Sequence, residues 1–106
     1  MGKNPNEIIG LLEKFKRKVG KIVCLNKLIL FGSMARGDSK KNSDVDIILV
    51  SEDFEGQKYF RRSAPFYLAW DYDYDTDIIC LTPRELLKKQ KEIGVVRSAL
   101  KEGIEI

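Results

Sequence analysis

Two short runs of this chain carry residues whose types and spacing suit phosphate chemistry. In the first, the apolar run Leu28-Ile29-Leu30-Phe31 stops at Gly32-Ser33. Glycine lets the backbone turn sharply and leaves room for a ligand oxygen. Serine offers a hydroxyl, and the N–H groups at a helix start form an anion site. The second run begins ten residues later, where Asp44 and Asp46 flank Val45 and lead into Ile47-Ile48-Leu49-Val50. Residues two apart on a strand share a face, with Cα atoms roughly 6.6 Å apart. Ionised carboxylates side by side on a sheet repel, and strand propensity does not favour them. A bound divalent cation reverses that penalty. Asp77, which opens Ile78-Ile79-Cys80-Leu81, is the expected third carboxylate, with Asp75 the alternative on the same face. It would complete a site for two Mg²⁺ ions or take a proton. Arg36, one turn beyond Ser33, could reach a triphosphate or brace the loop. Gly-Ser alone is common in turns; the combination points to a magnesium-dependent enzyme acting on a nucleoside triphosphate.

The composition narrows the chemistry further. The chain has no histidine, which removes imidazole-based zinc sites and histidine bases and leaves a hard cation held by carboxylates. Cys24 and Cys80 each lie in an apolar run and are expected to be small buried thiols rather than a disulfide. A net charge of +3 does not argue for nucleic acid as direct substrate. The basic clusters around Lys14–Lys21 and Lys88–Lys91 are expected to be solvated helix faces. No apolar stretch approaches the roughly 20 residues of a membrane span, and the first residues do not resemble a secretory signal. A cytoplasmic location is the expectation, and 106 residues suit a single domain, 1–106.

The elements that must position these groups emerge from periodicity. Ile8, Leu11, Leu12, Phe15 and Val19 recur at helical spacing, which predicts an amphipathic helix over Glu7–Gly20, capped by Asn6. Ile22–Leu25 suits either helix or strand. Strands are expected over Lys27–Phe31, Asp44–Val50 and Thr76–Leu81, with one helical turn over Ser33–Gly37 and a polar loop over Asp38–Ser43. Gln57–Asp71 reads as helical with Phe60, Ala64, Tyr67 and Leu68 on one side, broken near Pro65. Trp70 and the nearby tyrosines read as packing residues. Thr82-Pro83-Arg84-Glu85 is a helix start with a capping box, and Leu86 and Leu87 anchor that helix. A last helix, Ile93–Glu102, buries Val96 and Leu100 and stops at Gly103; Ile104–Ile106 could add an edge strand. The order of elements gives an α/β (α+β) domain with helices packed on a small mixed sheet.

Gly32-Ser33, ten residues, then Asp44-Val45-Asp46, within Leu30-Phe31-Gly32-Ser33-Met34-Ala35-Arg36-Gly37 and Ser43-Asp44-Val45-Asp46-Ile47-Ile48-Leu49-Val50, resembles the signature of the DNA polymerase beta-like nucleotidyltransferase superfamily. The chain is most similar to its minimal nucleotidyltransferases (MNT proteins). The resemblance implies a palm-like core and transfer of a nucleoside monophosphate from a triphosphate, with pyrophosphate released. It implies that Gly32 and Ser33 hold the nucleotide's phosphates, and that Asp44, Asp46 and Asp77 are the catalytic, metal-binding carboxylates; Arg36 keeps the nucleotide-binding or bracing role read from its place one turn along. Minimal members are often paired with a helical HEPN ribonuclease toxin. There the nucleotidyltransferase is the antitoxin, which adds AMP from ATP to a hydroxyl of the toxin. Two other readings stand beside this one: a non-catalytic binding module that masks its partner, and nucleotidyl transfer to RNA or a small molecule.

Overall fold

The computed structural model of the chain describes residues 5–38 and 43–106; the greater part of the expected polar loop over Asp38–Ser43 lies outside them. Helix α1 (Pro5–Gly20) buries Ile8, Leu12, Phe15 and Val19, the stripe that the spacing predicts, while Lys14, Lys16, Arg17 and Lys18 face solvent. It starts at Pro5, so Asn6 lies inside the first turn rather than capping it. Proline's fixed φ suits a first helical position. Lys21 to Val23 turn back onto the end of α1 through backbone hydrogen bonds, and strand β1 (Leu25–Phe31) comes next.

Helix α2 (Ser33–Arg36) is a single turn, strand β2 spans Val45–Ser51 and a 3-10 turn covers Glu52–Phe54. Helices α3 (Tyr59–Arg62) and α4 (Ala64–Ala69) break at Ser63, just before Pro65. The break changes the helical phase, so one periodicity does not carry across it. Arg62 and Phe66 turn inward, whereas Phe60 is 71% and Leu68 88% exposed, contrary to the expected face. Strand β3 (Thr76–Leu81) leads into helix α5 (Pro83–Gln90), whose Thr82–Glu85 capping box is formed on both sides. Helix α6 (Val95–Glu102) starts two residues later than expected, and strand β4 (Ile104–Glu105) ends the chain.

The sheet order is β3-β2-β1-β4. Strand β1 is antiparallel to β2 and β4, and β2 is parallel to β3, so the sheet is mixed, as expected. Strands β2 and β3 are apolar on both faces because both faces are covered. On one face Leu28, Leu30, Ile47, Leu49, Ile78 and Cys80 meet α1, Phe54 and Phe66. Trp70 closes this layer, edge-on to Phe15 at 4.9 Å and to Tyr72 at 4.9 Å, with its indole N–H donated to the Tyr74 carbonyl at 2.7 Å. On the other face Ile29, Ile48, Val50 and Leu81 meet Leu86 of α5 and Val96 and Ala99 of α6. Leu87 is 57% exposed, so of the two leucines only Leu86 is buried under α5. A Cβ on Gly103 would strike the Ala99 carbonyl oxygen and the Ile29 side chain; that gap lets the chain pass under α6 to pair with β1. Cys80 is buried as expected but Cys24 is exposed. Its run is a turn, pinned by Cys24 N–H to Asp53 and by Ser51 Oγ to the Cys24 carbonyl, both 2.7 Å.

The outer edge of β3 is closed by α3 and α4 rather than by another strand. The buried Arg62 guanidinium donates to the Cys80 carbonyl at 3.2 Å and forks onto Glu85 at 2.5 and 3.2 Å. Removing it leaves a partly buried carboxylate and a buried carbonyl without that donor. We therefore expect Arg62→Ala to cost about 2–4 kcal/mol in urea unfolding, with Arg62→Lys recovering little because the fork is lost. A loss under about 1 kcal/mol would show that the edge is held by apolar contact alone.

Candidate active site

The C-terminal end of β1 and the N-terminal ends of β2 and β3 meet at one end of the sheet. Phe31 stands opposite Asp46 across the antiparallel pair, and Asp46 opposite Asp77 across the parallel pair. Neighbouring strands lie roughly 4.8 Å apart, so two carboxylates are fixed side by side on the face that carries Ile48 and Ile79 further down. Asp44, two residues ahead of Asp46, is exposed just before the ladder begins. Asp75 also precedes its strand, where its carbonyl accepts the Val45 N–H at 2.8 Å. Register thus gives Asp77, not Asp75, the place beside the central carboxylate.

Asp46 feels these neighbours. Its pKa is pushed up from 3.8 to about 6, first by burial, then by the charges of Asp77 and Asp44, with Arg36 pulling the other way. Gly32 has φ +74, and a Cβ there would collide with the Asp46 carboxylate oxygen. The glycine is therefore required twice, by its left-handed backbone and by the carboxylate it abuts. Ser33 opens α2, whose first turn closes with Ala35 N–H and Arg36 N–H on the Gly32 carbonyl at 3.1 Å. Arg36 braces the turn: its guanidinium donates to Asp38 at 3.1 Å and to Glu102 at the end of α6 at 2.9 Å.

Tyr67 of α4 was not singled out by the sequence as a site residue. Its hydroxyl accepts the Ile78 N–H at 2.9 Å and lies 3.5 Å from Asp77 Oδ1, so it fixes the edge of β3 where Asp77 leaves it. Ten residues and a change of element separate the two; no local spacing rule could have joined them. Thr76 ties β3 to β2 in the same way, Oγ1 to the Val45 carbonyl at 2.8 Å.

Among the described residues no three His, Cys, Asp or Glu side chains already stand in the geometry of a metal cage. The donor chemistry nonetheless fits a hard divalent cation: carboxylates on adjoining strands, one of them disfavouring its own charge, and a glycine gap against it. Between pH 3.8 and about 6, folded Asp46 holds a proton that the unfolded chain has released. Its contribution to stability is therefore complete below about 4 and lost as pH rises through 6. Asp46→Asn should raise the metal-free protein's stability at pH 7.5 by about 1 kcal/mol after allowing for solvent screening, and change little at pH 4. Thermal melts across that range check it; a less stable variant at pH 7.5 would contradict the assignment.

The family model for the nucleotidyltransferase domain matches residues 8–106. A candidate protein adenylyltransferase of Methanocaldococcus jannaschii is 35% identical over 71 residues, 61% of this chain and 72% of that protein. Among solved structures, a candidate nucleotidyltransferase from Sulfolobus solfataricus superposes with a TM-score of 0.67 at 23% identity, covering 99% of this chain and 89% of that one. A chain from a toxin–antitoxin structure with AMP-PNP superposes with a TM-score of 0.52 at 24% identity, covering 97% and 72%. At these identities the two structures speak for the fold.

Proposed function

Since the chain belongs to the nucleotidyltransferase domain family, as a minimal member of the DNA polymerase beta-like superfamily, we propose that it transfers AMP from ATP to a hydroxyl on a partner protein. The observation that carries this is the register of β2 on β3, which pairs Asp46 with Asp77 beside the Gly32 gap. The relative from M. jannaschii, described as a candidate protein adenylyltransferase, supports a protein acceptor and AMP as the group moved. The likeness in fold to a toxin–antitoxin chain crystallised with AMP-PNP supports a toxin as the partner, and we take a HEPN-type helical ribonuclease as the acceptor. The chain would then be the antitoxin.

In this reading the acceptor oxygen bonds to the α-phosphorus of ATP while the bond from that phosphorus to the bridging oxygen of pyrophosphate breaks. The hydroxyl proton passes to Asp77, and pyrophosphate leaves. Gly32 and Ser33 hold the phosphates, and Arg36 keeps their turn anchored to α6. Mg²⁺ held by Asp44, Asp46 and Asp77, as a pair of ions, would neutralise phosphate charge and acidify the acceptor hydroxyl. Tyr67 keeps Asp77 at the strand edge, positioned for the proton. The setting we assign is the cytoplasm, which supplies ATP and with which two free thiols accord. No helix among the described residues is long and apolar enough to cross a membrane.

Incubation with labelled ATP, Mg²⁺ and the partner should move label onto the partner and raise its mass by AMP units. Asp44→Ala/Asp46→Ala should lower the rate at least about 100-fold without loss of fold by circular dichroism. Equal transfer by the two proteins would reject the mechanism; full neutralisation of the partner by the double variant would favour masking instead.

A further inference from the structure

The Tyr67 hydroxyl accepts the Ile78 N–H at 2.9 Å and lies 3.5 Å from Asp77 Oδ1. A backbone N–H only donates and a carboxylate oxygen only accepts, so the phenolic proton is left for Asp77. Phe66, the neighbouring residue on α4, is buried, while Tyr67 itself is 42% exposed, so a molecule in solution has access to it. Other hydroxyls near this end of the sheet stand differently. Thr76, one residue before Asp77, gives its proton to the Val45 carbonyl at 2.8 Å. Ser33 follows β1, and β2 separates β1 from β3. Tyr59 of α3 stands beside Ile79 and Leu81, further along β3. Tyr67 thus places a nucleophilic group, with its proton, against the carboxylate that is to act as base.

We propose that Tyr67 is itself an acceptor: without a partner protein, the chain transfers AMP from ATP to the Tyr67 hydroxyl and so closes its own site. The proposal rests on the nucleotidyl-transfer reading and adds a modification site to it. That reading requires an acceptor hydroxyl within hydrogen-bond reach of Asp77, about 2.6–3.2 Å in the reacting complex and often longer before substrate arrives. Tyr67 meets the requirement with a small shift. In the step, the Tyr67 oxygen bonds to the α-phosphorus with the electron pair of its O–H bond, and the proton moves to Asp77. The bond from that phosphorus to the bridging oxygen breaks, and pyrophosphate leaves with the pair. Acceptor and base belong to one folded chain, so no encounter with a separate acceptor is needed. The product carries a phosphodiester charge beside Asp77, and its nucleotide is tethered to α4 where the carboxylate would receive an outside hydroxyl. A chain modified in this way no longer serves a partner, which makes the reaction self-limiting.

The test incubates the purified chain alone with ATP and Mg²⁺ and reads intact mass and peptide maps. Wild type should gain the mass of one AMP, on Tyr67, with a rate constant unchanged by dilution. Asp77→Asn should slow the gain at least about 100-fold, and Tyr59→Phe should keep it. Tyr67→Phe, checked for fold by circular dichroism, should gain no mass. The map of wild type reads the modified residue directly, which a purely structural role of Tyr67 does not move. The modified chain should then lose transfer to its partner in proportion to the fraction carrying AMP. Label reaching the partner but never the free chain overturns self-modification and leaves the transferase reading intact. AMP on any other residue, a rate that falls on dilution, or undiminished transfer by the modified chain overturns it as well. No mass gain by either chain or partner brings down both readings.

Discussion

The parallel pairing of β2 with β3 is the constraint on which the rest of this molecule depends. It places Asp46 and Asp77 on neighbouring strands, where their charges oppose each other. Nothing local favours that arrangement. It is held by the apolar run after each aspartate: Ile47-Ile48-Leu49-Val50 and Ile78-Ile79-Cys80-Leu81, almost all buried, between α1 on one face and α5 and α6 on the other. A slip of one residue would turn every one of these side chains to the wrong face. The register is therefore fixed by the apolar halves of the strands, and the polar halves are carried to the sheet end as a consequence.

The parts around the carboxylates serve the same end. Gly32 lets β1 stop against Asp46, because no other residue combines that φ with empty space beside the carboxylate. Arg36 runs from the turn after Gly32 to Glu102, so that turn is tied to α6, near the other end of the chain. Glu102 is followed by Gly103 and β4, which pairs with β1. The C-terminal segment thus supports the site from beneath, through β1 and α6, without supplying a reacting group.

Much of this was legible because the signals were local. The four-residue apolar runs marked three strands, the Thr82–Glu85 box marked a helix start, and Gly32-Ser33 with Asp44-Val45-Asp46 marked where chemistry would gather. The structure adds the pairing that sequence spacing leaves open, Asp77 rather than Asp75 against Asp46. What sequence periodicity missed lies where elements are too short to show a period. Across Tyr59–Ala69 a break at Ser63 resets the helical phase, so the side expected inside, Phe60 and Leu68, faces water and Arg62 and Phe66 take its place. Arg62 was unreadable as a core residue because its partners, Glu85 and the Cys80 carbonyl, are distant in sequence. Tyr67 escaped for the same reason. Cys24 looked buried because its neighbours are apolar, yet the run is a turn rather than a strand or helix.

The residues at the outer edge of β3 share an origin. Arg62, Tyr67 and Tyr59 all come from the short helices that flank the outer edge of β3, and that edge is also where Asp77 stands. An edge strand exposes N–H and carbonyl groups that demand partners; here side chains supply them, Tyr67 for the Ile78 N–H and Arg62 for the Cys80 carbonyl. Closing an edge with side chains has a different result from closing it with a strand. It keeps Asp77 beside solvent on its outer side, whereas a fifth strand would have covered it. Under the proposed transfer, a hydroxyl arriving from that side, opposite Gly32, would meet the carboxylate first. The same choice leaves Phe60 and Leu68 bare on the helices that close this edge, the part of the surface least governed by the sheet.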